Sequence, residues 1–149
     1  MATTQKSFRK FLYLRINFLM AFAAALGSLY FSEILKYPPC VLCWYQRISL
    51  YPLVVIFGTA LWLEDISYRR YAIPLAIIGF VIAGYHNLIY YGLISEELTP
   101  CTEGVSCSSR QLELFGFVTI PLLSLIGFFI ILALMIIERS KATGGTNEK

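Results

Sequence analysis

The chain has 149 residues, 58% of them hydrophobic and only 14% charged, against roughly 45–50% and 25% in soluble domains. Its net charge is +3, and its 12 Lys and Arg residues are gathered into a few short stretches. That balance excludes an ordinary soluble domain and offers no basic surface suited to nucleic acid.

Four runs contain no Asp, Glu, Lys or Arg: Ile16–Ser32, Ile48–Leu63, Tyr71–Ser95 and Leu114–Ile137, of 17, 16, 25 and 24 residues. A bilayer core takes about 20 apolar helical residues, and interfacial Trp44 and Tyr45 extend the short second run. The reading is an all-α membrane protein, a four-helix transmembrane bundle forming one integral membrane domain over residues 1–149. The expected helices cover about 11–35, 44–63, 71–94 and 114–137.

Taken in order, residues 1–10 form a basic lead. Helix one follows, with Gly27 and Ser28 as small residues suited to close helix packing. Ala21–Ala25 resembles a signal-peptidase site, but the apolar run continues through Leu26, Leu29, Tyr30 and Phe31, which favours an uncleaved helix. Pro38-Pro39-Cys40-Val41-Leu42-Cys43-Trp44-Tyr45-Gln46-Arg47 comes next. Proline is tolerated at a helix start, so a helix beginning near Cys40 holds both thiols in its first turn. There the dipole favours thiolate, and Cys40, Cys43 and Arg47 share one face. Pro52 lies within helix two, where the freed carbonyl needs another partner.

Glu64–Arg70 is the turn into helix three, which carries Pro74 and the only histidine, His86. The polar loop Ser95–Glu113 contains Cys101 and Cys107. Ser108-x-x-Gln111 fits a capping box, placing a helix start directly after Cys107. Helix four contains Gly116, Pro121 and Gly127, and the polar tail over 140–149 reads as disordered.

Nine of the 12 Lys and Arg residues fall at the termini and in the middle turn; Lys36, Arg47 and Arg110 fall on the other side. The positive-inside rule then makes both termini cytoplasmic and both cysteine loops extracytoplasmic. Disulfides persist there. Cys40 and Cys43 can bridge each other, Cys101 and Cys107 can close a small loop, and two such disulfides in exchange form a relay. Two structural staples, or a zinc site with four cysteine ligands, remain open readings of the same residues. Arg47 can stabilise the Cys43 thiolate or hold an anionic ligand, or it can be a snorkelling arginine at a helix end. His86 reads as a proton-relay candidate or as a histidine hydrogen-bonded to a neighbouring helix. No nucleotide or haem motif supplies an electron sink, whereas a bundle in the bilayer can accept a lipid-soluble carrier.

Pro39–Arg47 resembles the core motif of the DsbB-type disulfide-bond-formation proteins. Pro100-Cys101, Cys107-Ser108-Ser109-Arg110-Gln111, Phe115-Gly116-Phe117, Ile120-Pro121 and Gly27–Ile34 extend the likeness over nearly the whole chain. The short second loop is most similar to the BdbC-like branch of Gram-positive bacteria. The resemblance implies a protein-disulfide oxidoreductase in the bacterial cell membrane that reoxidises a DsbA- or BdbD-like thioredoxin-fold partner and passes electrons to membrane menaquinone or ubiquinone. It implies redox-active Cys40–Cys43 and Cys101–Cys107 disulfides and no metal. Cys101 would receive the partner's attack, Cys107 would exchange with Cys40, and Cys43 would be left as thiolate beside the quinone. Arg47 would stabilise that thiolate, and His86 lies near the position of a quinone-proximal histidine. The alternative is a non-catalytic membrane scaffold whose loops are stapled by disulfides or zinc. Only five residues separate Cys101 from Cys107, fewer than in the family's longer members.

Overall fold

A computed structural model of the chain describes residues 2–65, 67–95, 106–107, 113–114 and 118–143. Helix α1 spans Ala2–Leu29 and widens into a π-helical turn over Tyr30–Ile34. Helices α2 (Val41–Leu63) and α3 (Arg69–Tyr90) follow. A two-strand ladder of β1 (Glu113–Leu114) and β2 (Val118–Thr119) leads into α4 (Ile120–Thr143). Four helices are long and apolar enough to cross a membrane, over Phe11–Ile34, Val41–Leu63, Arg69–Tyr90 and Ile120–Ser140. The shortest helix, α3, has 22 residues and rises about 33 Å, enough for a hydrocarbon core of about 30 Å. The four-helix bundle expected from the charge-free runs is the architecture found.

Some boundaries differ from the expected ones, for local reasons. Helix α2 starts at Val41, ahead of the span expected from about 44 but where the proline pair implied a helix beginning near Cys40, which caps it. Helix α3 stops at Tyr90 rather than near 94, where Gly92 takes a left-handed conformation (φ 72°) that glycine adopts without strain. Helix α4 begins at Ile120, not near 114. Glu113 instead pairs with Thr119 and Leu114 with Val118, antiparallel. The Thr119 hydroxyl then accepts the Leu122 N–H at 3.3 Å as an N-cap. Pro121 follows in the first turn, where its missing N–H is no loss. The expected capping box at 108–111 lies outside the described residues. Helix α4 also runs to Thr143, into the stretch expected to be disordered from 140; residues 144–149 lie outside the description.

Small residues let the helices approach. Ala72, Ala76, Gly79 and Ala83 form one buried stripe of α3 at helical spacing. Phe128, Ile131 and Met135 of α4 belong to the same core, with Leu53 and Phe57 of α2. A Cβ on Gly79 would run into the Phe128 ring, so glycine is required there by space. Large apolar side chains face outward instead, including Leu19, Val55, Val81 and Phe129, as a lipid-facing surface demands.

A buried polar cluster closes the end of the bundle remote from the cysteines. The Tyr68 hydroxyl donates to Glu138 Oε2 at 2.6 Å, and Arg69 lies 3.4 Å from Glu138 Oε1. Burial, then the bond to Glu138, pushes the Tyr68 hydroxyl well above the usual phenol range. The Tyr68 ring also meets Phe57 edge to face at 5.8 Å. The turn between α2 and α3 is thereby fastened to the last turns of α4.

Candidate functional site

The link Lys36–Cys40 brings the chain back from α1 into α2. Lys36 is left-handed (φ 55°), and Pro38 and Pro39 hold the approach extended. Cys40 is the N-cap of α2: its backbone is extended (φ −70°, ψ 170°) and its sulfur accepts the Cys43 N–H at 3.4 Å. The first turn therefore folds one thiol over the other, with the two Sγ atoms 2.9 Å apart and both cysteines as free thiols. Hydrogen bonding from the Cys43 thiol lowers the Cys40 pKa from 9.0 to about 4. Burial opposes this, while His86 and the Cys43 N–H add to the lowering. The end of α2, with its unpaired N–H groups, favours a thiolate at the same place.

Three side chains converge on this pair. Arg47 is only 8% exposed; its Nε donates to the Ser28 hydroxyl at 2.8 Å and its Nη2 to the Ser28 carbonyl at 2.9 Å. Its guanidinium also stands 5.2 Å from the centre of the Trp44 ring. It is a held cation, not a snorkelling one. From α3, His86 is 2% exposed, with Nε2 3.7 Å from Cys40 Sγ and 3.1 Å from the Cys107 carbonyl oxygen. Gln46, one turn beyond Cys43, meets the other ring nitrogen at 3.1 Å. Cys107 is disulfide-bonded and packs with Cys40, Leu42 and Ile89 in one buried cluster. Cys101 lies outside the described residues. Asn87 braces the neighbourhood: its Nδ2 donates to Ala83 and Pro121 carbonyls, both at 2.8 Å, tying α3 to the start of α4.

The dithiol also borders a cavity of about 450 Å³ between α1, α2 and α4. Cys43, Gln46 and Arg47 form its polar end, and Met20, Phe31, Leu50 and Leu123 contribute to an otherwise apolar wall. Ala23, Ala24, Leu123 and Ile126 line it and are exposed on the bundle surface, so it opens sideways between α1 and α4. Gly27 and Gly127 line it as well, and a Cβ at either would meet open space. Gly27 and Ser28 were expected to bring helices together; instead the first leaves room and the second binds Arg47.

The arrangement therefore offers a dithiol with a buried sulfur beside a second cysteine and a half-buried one beside an apolar chamber and a fixed cation. Cys40, Cys43 and His86 have their ligand atoms within 4.8 Å of one another, a spacing a soft metal ion accepts. However, His86 Nε2 is engaged by a carbonyl oxygen, which leaves that nitrogen no lone pair for a metal. Among the described residues, no sequence pattern marks a role for Asn87 or Gln46, and Ser28 is marked only as a small packing residue. Only the position of Gln46, inside the cysteine motif at helical spacing from Cys43, could have drawn attention to it.

Comparison with known proteins adds the following. The family model described as disulfide bond formation protein DsbB matches residues 10–137. Disulfide bond formation protein C of Bacillus subtilis (strain 168) is 45% identical over 126 residues, covering 85% of this chain and 91% of that protein. Probable disulfide formation protein C 2 of Bacillus cereus (strain ATCC 10987 / NRS 248) is 44% identical over 131 residues, covering 88% and 94%. A probable disulfide formation protein of Metapseudomonas resinovorans is 43% identical over 131 residues, covering 87% and 91%. No solved structure matches.

Proposed function

The chain belongs to the DsbB family of disulfide bond formation proteins, and we propose that it is a quinone-dependent oxidase of a DsbA- or BdbD-like thioredoxin-fold protein. Membership gives the coarser part: a multi-pass membrane protein that forms disulfides. The observation that carries the finer part is the two-sided environment of the dithiol. Cys40 packs against Cys107, while Cys43 and Arg47 wall the cavity that opens between α1 and α4. Protein thiols and a lipid-soluble acceptor thus have separate approaches to one pair of sulfurs. The cysteine end lies outside the cell on the positive-inside argument, since nine of the 12 Lys and Arg residues sit toward the other side.

The exchange runs through the four cysteines. A partner thiolate attacks Cys101 in a Cys101–Cys107 disulfide, giving a mixed disulfide and a Cys107 thiolate. Cys107 attacks Cys40, a Cys40–Cys107 bond forms as the Cys40–Cys43 bond breaks, and Cys43 departs as thiolate on the cavity side. The partner's second thiol displaces Cys101 and leaves the partner oxidised. Cys101 then closes on Cys107, so Cys40 and Cys43 hold the two electrons. The cavity fits a quinone: it is apolar, open to the bilayer, and carries a fixed cation at the end where Cys43 stands. When bound there, menaquinone or ubiquinone supplies a two-electron, two-proton acceptor. Arg47 holds negative charge at Cys43 in place, and the apolar wall excludes water.

The test is to mix purified protein, a quinone and a reduced thioredoxin-fold partner, and to follow partner thiol loss and quinone reduction together. Both should proceed in step, and Cys40→Ser or Cys43→Ser should abolish both. Unchanged rates in either variant would overturn the mechanism, as would stoichiometric zinc or disulfides inert to the partner, which are the marks of a stapled scaffold.

A further inference from the structure

His86 is buried, and both ring nitrogens are occupied. Its Nε2 faces the Cys107 carbonyl oxygen at 3.1 Å. A carbonyl oxygen only accepts, so Nε2 carries the hydrogen. A neutral imidazole has one N–H, and Nδ1 is then a lone pair that only a donor can face. That donor is the Gln46 side-chain amide at 3.1 Å, itself buried. The hydrogen on Nε2 also points toward Cys40 Sγ, 3.7 Å away.

We propose that Gln46 is a positioning residue that donates to Nδ1 and holds the His86 ring where its Nε2–H clamps the Cys107 backbone beside Cys40. The histidine joins the two cysteine loops across α3: the Cys107 carbonyl sets which nitrogen carries the proton, and Gln46 of α2 completes the pairing. A proton arriving at Nδ1 would require the Gln46 amide to turn and present its oxygen. A carboxylate at 46 would change the ring's proton count. Glutamate accepts from Nδ1–H while the Cys107 oxygen still requires Nε2–H, so the ring would carry a hydrogen on both nitrogens. The consequence for exchange rests on the oxidase reading above; the tautomer does not.

The experiment exploits the presence of one histidine in the chain. Nitrogen NMR of full-length protein in lipid nanodiscs, with isotopically labelled histidine, reports a single imidazole whose protonated nitrogen is identifiable. Wild type should show Nε2–H. Gln46→Glu should add a proton at Nδ1 and give an imidazolium, and Gln46→Met should keep Nε2–H while the Nδ1 resonance shifts on losing its hydrogen bond. Single-turnover transfer from Cys107 to Cys40 should slow by about threefold to tenfold in both, the scale of one lost hydrogen bond. An Nδ1–H signal in wild type, or a Gln46→Glu spectrum identical to wild type, overturns the proposal even if a variant's activity is lost through misfolding. An Nε2–H spectrum that changes as expected, in a protein that oxidises no thiol, upholds the tautomer and overturns the oxidase reading instead.

Discussion

Cys40 and Cys43 have the same chemistry and different surroundings. Cys40 caps α2, receiving hydrogen bonds from the Cys43 thiol and N–H, and these lower its pKa to about 4. Because the folded value lies below the ordinary 9.0, the group stabilises the reduced fold fully above the ordinary value. That contribution is lost as pH falls through about 4. Alkylation of the reduced protein should therefore already be fast at mildly acidic pH and fall away only near that lower value. A rate that instead rises through the ordinary thiol range would contradict this. Ser28 makes a second prediction at this scale. Its hydroxyl takes the Arg47 Nε–H and its backbone carbonyl the Nη2–H; Ser28→Ala removes only the first, and on the proposed quinone reading it should raise the quinone KM by about threefold to tenfold with less change in kcat. Arg47→Lys should not restore the geometry, because an ammonium lacks the planar fork. Steady-state kinetics at varied quinone concentration separates the two effects.

At the scale of elements, glycines in neighbouring helices do opposite work. Gly79 admits the Phe128 ring between α3 and α4, whereas Gly127 faces open space beside the cavity. Gly79→Ala should destabilise the bundle by about 1–3 kcal/mol through overpacking, read as a lower midpoint of thermal unfolding in detergent. Gly127→Ala should not lower that midpoint, since alanine is the better helix former. The sequence contained both glycines but not this distinction, because glycine reports missing volume and not who fills it. The four spans were legible because a bilayer demands long uncharged runs. The start of α4 was not, because Leu114–Ile137 is continuously free of charge and hides the Thr119 cap and the strand pair ahead of it. Likewise the cysteine motif announced its chemistry, while Gln46 and Ser28 act on side chains 40 and 19 residues away, a distance no local pattern spans.

Across the whole molecule, polarity is concentrated at the two ends of an apolar bundle. One end holds the Tyr68–Glu138–Arg69 cluster; the other holds the cysteines, His86 and Arg47. Losing the buried partner of Tyr68 and Arg69 leaves both without their carboxylate. Glu138→Leu should therefore lower the thermal midpoint while sparing the dithiol's reaction with small alkylating reagents. Parallel loss of both would show that the two ends are not independent.

The sideways mouth between α1 and α4 has a consequence for how the proposed quinone substrate is counted. A ligand that arrives through the flank of the bundle is drawn from a two-dimensional solution. Its saturation should follow mole fraction in the lipid, not molarity in the buffer. Diluting proteoliposomes with water should leave the half-saturation point unmoved, and diluting them with plain lipid should shift it in proportion.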